Sequence, residues 1–193
     1  MYTPTPALTA LQRAELLATA RRAIRDRVAG RPGTAPTTRD PVLRAPGAAF
    51  VTLTQAGALR GCIGYMQAIR PLAKAVAHCA AAAATEDPRF PAVTAQELPD
   101  LYVEVSVLSP LRPIADAGDI QVGLHGLYVS QASAHGLLLP QVATEHGWDR
   151  ETFLRQVCRK AGLAPDAWQC GATLQVFTAE HFRDEQAVGA ETV

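Results

Sequence analysis

Apolar positions recur along this chain with two periods, and the change from one to the other marks out its elements. Over residues 9–29, Leu17, Ala20, Ile24 and Val28 repeat at helical spacing. Thr9 with Gln12 forms a capping box at the start, and Gly30 ends the run. Residues 31–47 are rich in proline and glycine and read as a surface loop. The period then shortens. Residues 49–54 and 59–65 read as two strands joined around Gln55-Ala-Gly-Ala58, a hairpin.

Pro71 suits the first turn of a second helix, running to about Thr85, with Leu72, Val76, Cys79 and Ala83 as its buried stripe. Residues 86–91 break it. Over 101–108 the alternation is strict. Leu101, Val103, Val105 and Val107 share one face, and Tyr102, Glu104, Ser106 and Leu108 the other. Residues 127–131 and 136–139 read as short strands around a turn containing Ser133. Asp149 caps a helix over 150–161 with Phe153, Leu154, Val157 and Ala161 inward, and Gly162 ends it. Residues 174–178 form a last strand. Helices and hairpin-linked strands interleave irregularly, which predicts an α+β fold with a mostly antiparallel sheet flanked by helices. No linker is long or polar enough to demand two independent domains. The expectation is one domain over 8–184, with frayed tails at 1–7 and 185–193.

Composition changes this picture little. Apolar residues make 48% of 193, a globular proportion, and the length suffices for a core without a metal or disulfide. Eighteen basic residues balance eighteen acidic ones, so the basic excess of a nucleic-acid binder is missing. The cluster Arg21, Arg22, Arg25, Arg27 and Arg31 reads as the solvated face of the first helix. No stretch is apolar enough to span a membrane and no signal peptide is evident. Cys62, Cys79, Cys158 and Cys170 lack CxxC spacing and are read as reduced thiols of a cytoplasmic protein.

Chemistry concentrates in Leu59-Arg-Gly-Cys-Ile-Gly64. Gly61 and Gly64 bracket Cys62 in an apolar strand, and glycine in a strand marks a bulge or a close approach. In an unbroken strand Arg60 and Cys62 share a face. Cys62 is then either a thiol activated beside a guanidinium or a small buried hydrophobe. Glu104 interrupts a valine-rich strand, as an edge residue or as a carboxylate projecting into a cleft. His125, between Leu124 and Gly126, is a turn histidine or one free to reach a ligand. Asp87-Pro-Arg-Phe-Pro91 is a structural turn, with Arg89 paired to a carboxylate and Phe90 as anchor, or part of a site lining. No zinc spacing, phosphate loop, dinucleotide fingerprint or nucleophile elbow occurs, so no metal site is supported and no cofactor can be named.

Taken in order, Leu59-Arg-Gly-Cys-Ile-Gly64, Asp87-Pro-Arg-Phe-Pro91, Glu104-Val-Ser-Val-Leu108, Val122-Gly-Leu-His-Gly-Leu127, Leu139-Pro-Gln-Val142, Gly147-Trp-Asp149 and Cys158-Arg-Lys-Ala-Gly-Leu163 resemble the AMMECR domain family. That family includes the proteins called AmmeMemoRadiSam system protein A. The ordered set covers nearly the whole chain. The resemblance implies an α+β fold with a larger and a smaller lobe and a cleft between them. It also implies partners of two kinds, a Memo-like protein similar to extradiol dioxygenases and a radical SAM protein.

The expectation for function is a cytoplasmic enzyme or enzyme component acting on a small molecule in a cleft lined by Cys62. Cys62 is the nucleophile or thiol ligand, His125 the general base, and Glu104 an orienting carboxylate or second acid/base group. Arg60, Gly61, Gly64 and Arg89 are expected to bind substrate. The alternative is a non-catalytic binding or scaffold protein working with the same partners. Neither nucleic acid nor membrane is an expected partner.

Overall fold

The computed structural model describes residues 7–185 and Val188. The expectation for the two tails therefore falls almost entirely outside the described residues. The chain divides into two compact units. One holds residues 7–108 with 180–185 and Val188. The other is Ser109–Ala179.

In chain order the first unit contributes α1 (Ala10–Val28), α2 (Pro41–Arg44), β1 (Ala48–Gln55), β2 (Ala58–Tyr65), α3 (Leu72–Thr85) and β3 (Leu101–Leu108). The second contributes β4 (Arg112–Pro113), β5 (Gly126–Gln131), β6 (Ala134–Leu138), α4 (Pro140–Glu145), α5 (Arg150–Lys160) and β7 (Thr173–Phe177). The last strand, β8 (Ala179–Arg183), joins the sheet of the first unit.

The first sheet has the order β2-β1-β3-β8. Ala56 and Gly57 turn the β1–β2 hairpin with positive φ, 49° and 80°, as a tight turn matched to strand twist requires. The pairing of 49–54 with 59–65 is as expected. One face of this sheet carries Val51, Leu53, Leu101, Val103 and Val105, all buried in one cluster with Leu16, Ala20 and Ile24 of α1 and Val76, Cys79, Ala80 and Ala83 of α3. The capping box at Thr9 and Gln12 is formed. The buried stripe of α1 is Leu16, Ala20 and Ile24, while the expected Leu17 and Val28 are only partly buried. Arg22, Arg27 and Arg31 are exposed, as expected of a solvated helix face, while Arg21 is drawn in to 13% exposure. Arg21 pairs with Asp184 at 3.0 Å, Arg27 with Glu86 at 2.6 Å and Arg31 with Asp26 at 2.8 Å.

The second unit's sheet runs β4-β7-β5-β6. Its core is Ile120, Leu127, Val129 and Val176 against Phe153, Leu154, Val157 and Cys158 of α5. Asp149 caps α5 by accepting the Thr152 N–H at 2.8 Å. Inward positions on α5 are Phe153, Leu154, Val157 and Cys158. Ala161, expected among them, is the C-cap. The elements α2, α4, β4 and β8 lie beyond the sequence expectations. The two helices are short segments started by a proline. The two strands have no apolar alternation to reveal them.

Both sheets place a phenylalanine across from a glycine. Phe50 pairs with Gly64, and Phe177 with Gly126. In each case the ring occupies the space a glycine Cβ would need.

Candidate thiol site on the first sheet

Cys62 reaches its position through a local irregularity. The β1–β2 register is Gln55↔Ala58 and Thr54↔Leu59, then shifts so that Leu53 pairs with Gly61 and Thr52 with Cys62. Arg60 is the extra residue of a β-bulge. A one-residue shift exchanges the faces of everything beyond it. Gly61 therefore turns toward α3, where the Ala83 carbonyl takes the space of a Cβ. Cys62 turns to the face away from the α1–α3 core.

On that face Thr52 lies between Cys62 on β2 and Glu104 on β3, since it pairs with both. The Thr52 hydroxyl donates to Cys62 Sγ at 3.4 Å. Cys62, Thr52 and Glu104 thus form a half-buried polar row across three strands. With strands about 4.8 Å apart, Glu104 starts about 10 Å from Cys62 and faces it across the threonine.

The Cys62 N–H points away from β1 and donates to Asp87 Oδ2 at 2.8 Å. That same oxygen accepts Arg89 Nη2 at 2.7 Å, while Asp87 Oδ1 accepts Arg89 Nε at 2.9 Å and the Arg89 backbone N–H at 3.1 Å. Asp87 is buried. The Arg89 hydrogen bonds hold its carboxyl well below the usual carboxylate range against the opposing effect of burial, and the Cys62 N–H adds to the lowering. Asp87 in turn raises the Arg89 pKa, and a smaller Coulombic contribution from Cys62 acts in the same direction. The guanidinium lies over the Phe90 ring, 5.4 Å from its centroid. The Asp87-Pro-Arg-Phe-Pro91 segment is therefore a turn whose arginine pairs with a carboxylate inside the motif, and that carboxylate also holds the Cys62 backbone.

The expected same-face neighbour of Cys62, Arg60, is engaged elsewhere. Its Nε and Nη2 bond Glu97 at 2.7 and 3.3 Å, and Nη1 bonds the Pro91 carbonyl at 2.8 Å. Its side chain is 12% exposed. All three guanidinium nitrogens have partners, and this pairing holds Glu97 down at about 2. Gly64 lies under Phe50, so its missing side chain makes room for a ring of the same sheet.

Cys62 and Glu104 share a sheet face in the first unit, and Arg89 is linked to the Cys62 backbone through Asp87. His125 belongs to the second unit and is 5% exposed. Its Nδ1 accepts the Gln121 N–H at 3.1 Å, and the His125 backbone N–H donates to the Gln121 carbonyl at 2.9 Å. The lone pair a general base would use is therefore committed to the backbone, which fixes the ring proton on Nε2. Burial first, and Arg112 second, push the His125 pKa down, opposed by Asp119. Neither alternative weighed from the sequence, a solvated turn or a free ligand-reaching ring, describes this buried clamp.

All four cysteines are free thiols. Cys79 and Cys158 are buried, and burial pushes Cys79 up to about 12 and Cys158 in the same direction. Cys170 is exposed. Among the described residues, no group of three or more His, Cys, Asp or Glu is placed to hold a metal ion, and no helix is long and apolar enough to cross a membrane.

The profile of the AMMECR1 family matches residues 17–182. The chain belongs to the AMMECR1 family. A protein of Methanothermobacter thermautotrophicus is 50% identical over 143 residues, covering 70% of this chain and 74% of its own length. A protein of Thermococcus gammatolerans is 49% identical over 151 residues, covering 72% and 74%. The crystal structure of uncharacterized protein PH0010 from Pyrococcus horikoshii superposes with a TM-score of 0.84 at 41% identity, over 91% of this chain and 92% of that one.

Within this AMMECR1 chain, sequence reasoning missed three side chains that build the site: Thr52, Asp87 as the hold on Cys62, and Glu97. Thr52 is hidden by the bulge. Counting back from the Ala56-Gly57 turn without it pairs Thr52 with Gly61, on the wrong face. The Asp87–Arg89 pair carried a local signal, a carboxylate two residues ahead of an arginine across a proline.

Proposed function

We propose that this AMMECR1 protein is an enzyme, or the thiol-bearing component of one, that acts on a small molecule at Cys62. The observation that carries the reading is the Thr52 hydroxyl donating to Sγ while Asp87 fixes the cysteine backbone. A donor on sulfur favours the charge that develops there when a thiol reacts. The step is addition of sulfur to an electrophilic carbon. The thiol proton is released to solvent water, and the displaced electron pair stays on the substrate. His125 is left outside this chemistry because its lone pair is engaged. A single functional domain over 8–184, read from the lack of a long polar linker, and a cytoplasmic location, read from unpaired cysteine spacing, belong to the same reading. A Memo-like and a radical SAM protein as companions rest on the family resemblance.

Iodoacetamide labelling with peptide mapping tests it, with exposed Cys170 as the internal reference. Cys62 labels faster than Cys170 at neutral pH, and Thr52→Val slows Cys62 several-fold while leaving Cys170 unchanged. Buried Cys79 and Cys158 label last. If Cys62 labels more slowly than Cys170 and is indifferent to Thr52→Val, the thiol is a packing residue. The protein is then a non-catalytic binding component.

A further inference from the structure

Two arginines stand near Cys62, and their free hydrogen-bonding capacity separates them. Arg60 has a partner on every guanidinium nitrogen and is nearly closed to solvent. Arg89 directs only Nε and Nη2 at Asp87, and among the described residues its Nη1 has no partner. Its side chain is 55% exposed. The outward edge of a planar, permanently charged group is thus held in a fixed orientation by a buried carboxylate below it and the Phe90 ring beside it. Since one oxygen of Asp87 accepts from both Arg89 Nη2 and the Cys62 N–H, the guanidinium lies within two hydrogen-bond lengths of the cysteine backbone.

From this geometry we infer that Arg89 is the anion seat of the Cys62 site, and that the small molecule handled there carries a carboxylate. This inference rests on the proposed reading of Cys62 for its functional meaning, but the seat itself depends only on Arg89 and Asp87. A guanidinium edge matches a planar carboxylate in shape and charge. A phosphate dianion fits less well. Asp87 already offsets the Arg89 charge, Glu104 adds a negative charge on the same sheet face, and Arg60 is neutralised by Glu97. One exposed cationic edge among these groups suits one negative charge. Asp87 is the positioning residue. Its four hydrogen bonds tie the seat to the reacting thiol, so a carboxylate on Arg89 brings the carbon next to it toward Sγ.

Two measurements on the intact chain test the seat apart from thiol reactivity. In a ¹H–¹⁵N correlation spectrum, sodium acetate shifts the Cys62 and Arg89 amides to saturation, while acetamide and inorganic phosphate at equal ionic strength do not. Arg89→Gln abolishes the response, and Arg89→Lys, which keeps a cation, retains part of it. Separately, the iodoacetate-to-iodoacetamide rate ratio at Cys62 exceeds that at Cys170 by about 10-fold, the scale of one charge-assisted hydrogen bond. In Arg89→Gln the two ratios become equal. Acetate-induced shifts with an unreactive Cys62 uphold the seat and sink the enzyme reading. A reactive Cys62 with no acetate response and equal ratios overturns the seat and leaves the enzyme reading standing. Equal responses to phosphate and acetate overturn the carboxylate assignment.

Discussion

Three side chains picked out for their chemistry do different work according to how many of their polar atoms have partners. Arg60 is fully engaged and serves as a strut between the β2 bulge and the turn of 91–97. Arg89 keeps one edge open. His125 uses its lone pair on the Gln121 N–H and so closes the 121–125 turn. Removing that acceptor leaves the part-buried Gln121 N–H without its partner, a loss on the order of 1 kcal/mol. His125→Leu should therefore lower unfolding free energy by that amount in a urea titration, while Cys62 alkylation stays at the wild-type rate. A drop in Cys62 reactivity without any stability loss would return His125 to the catalytic machinery.

At the scale of elements, the β1–β2 hairpin and α3 form one device. Gly61 brings β2 against the α3 backbone, and the Ala83 carbonyl fills the space a side chain would take. Gly61→Ala forces strand and helix apart. Overpacking of this kind costs about 1–3 kcal/mol. The midpoint of thermal unfolding should fall, and Cys62 should exchange its amide proton faster, because the strand that points it at Asp87 has moved. An unchanged melting temperature would mean that helix and strand yield more easily than their packing implies. The same hairpin marks the limit of what could be read from the sequence. Both strands, their turn, the capped helices and the buried stripe of α3 follow from periodicity and turn residues. The strand glycines signal a bulge or a close approach, but the place of the bulge at Arg60 does not follow, because a single unpaired residue leaves no periodic trace. It alone decides that Cys62 faces Thr52 and that Arg60 leaves the thiol's side. The role of His125 was illegible for a related reason. Whether a turn histidine is solvated or locked depends on burial by residues distant in sequence.

For the whole molecule, the shifted groups predict how stability follows pH. His125 has a depressed folded pKa, so the unfolded chain takes up its proton first. Stability conferred by the neutral ring is complete above the ordinary value of 6.5 and is lost as pH falls below it. Asp87 and Glu97 are also depressed, from 3.8 and 4.5. Their contribution is present above those values and disappears as pH falls through the lower folded ones. Acid should weaken the chain in two stages, beginning in the Ser109–Ala179 unit and continuing around the thiol site. Hydrogen exchange protection at pH 7, about 5 and about 2.5 would fall first near Gln121 and only at the lowest pH at Cys62. Simultaneous loss, or loss at Cys62 first, would contradict the assignment.

The position of Asp87 bears on self-association. In the order β2-β1-β3-β8, β2 lies at one margin of the sheet, and a marginal strand offers its outward N–H groups to any extended chain it meets. At Cys62 that donor is already taken by a buried carboxylate, backed by an arginine. An approaching strand would have to displace a charged pair to add itself there. The arrangement that aims the thiol also guards the margin of the sheet against aggregation. A change at Asp87 or Arg89 would then be felt both at the open margin of the sheet and at the cysteine backbone.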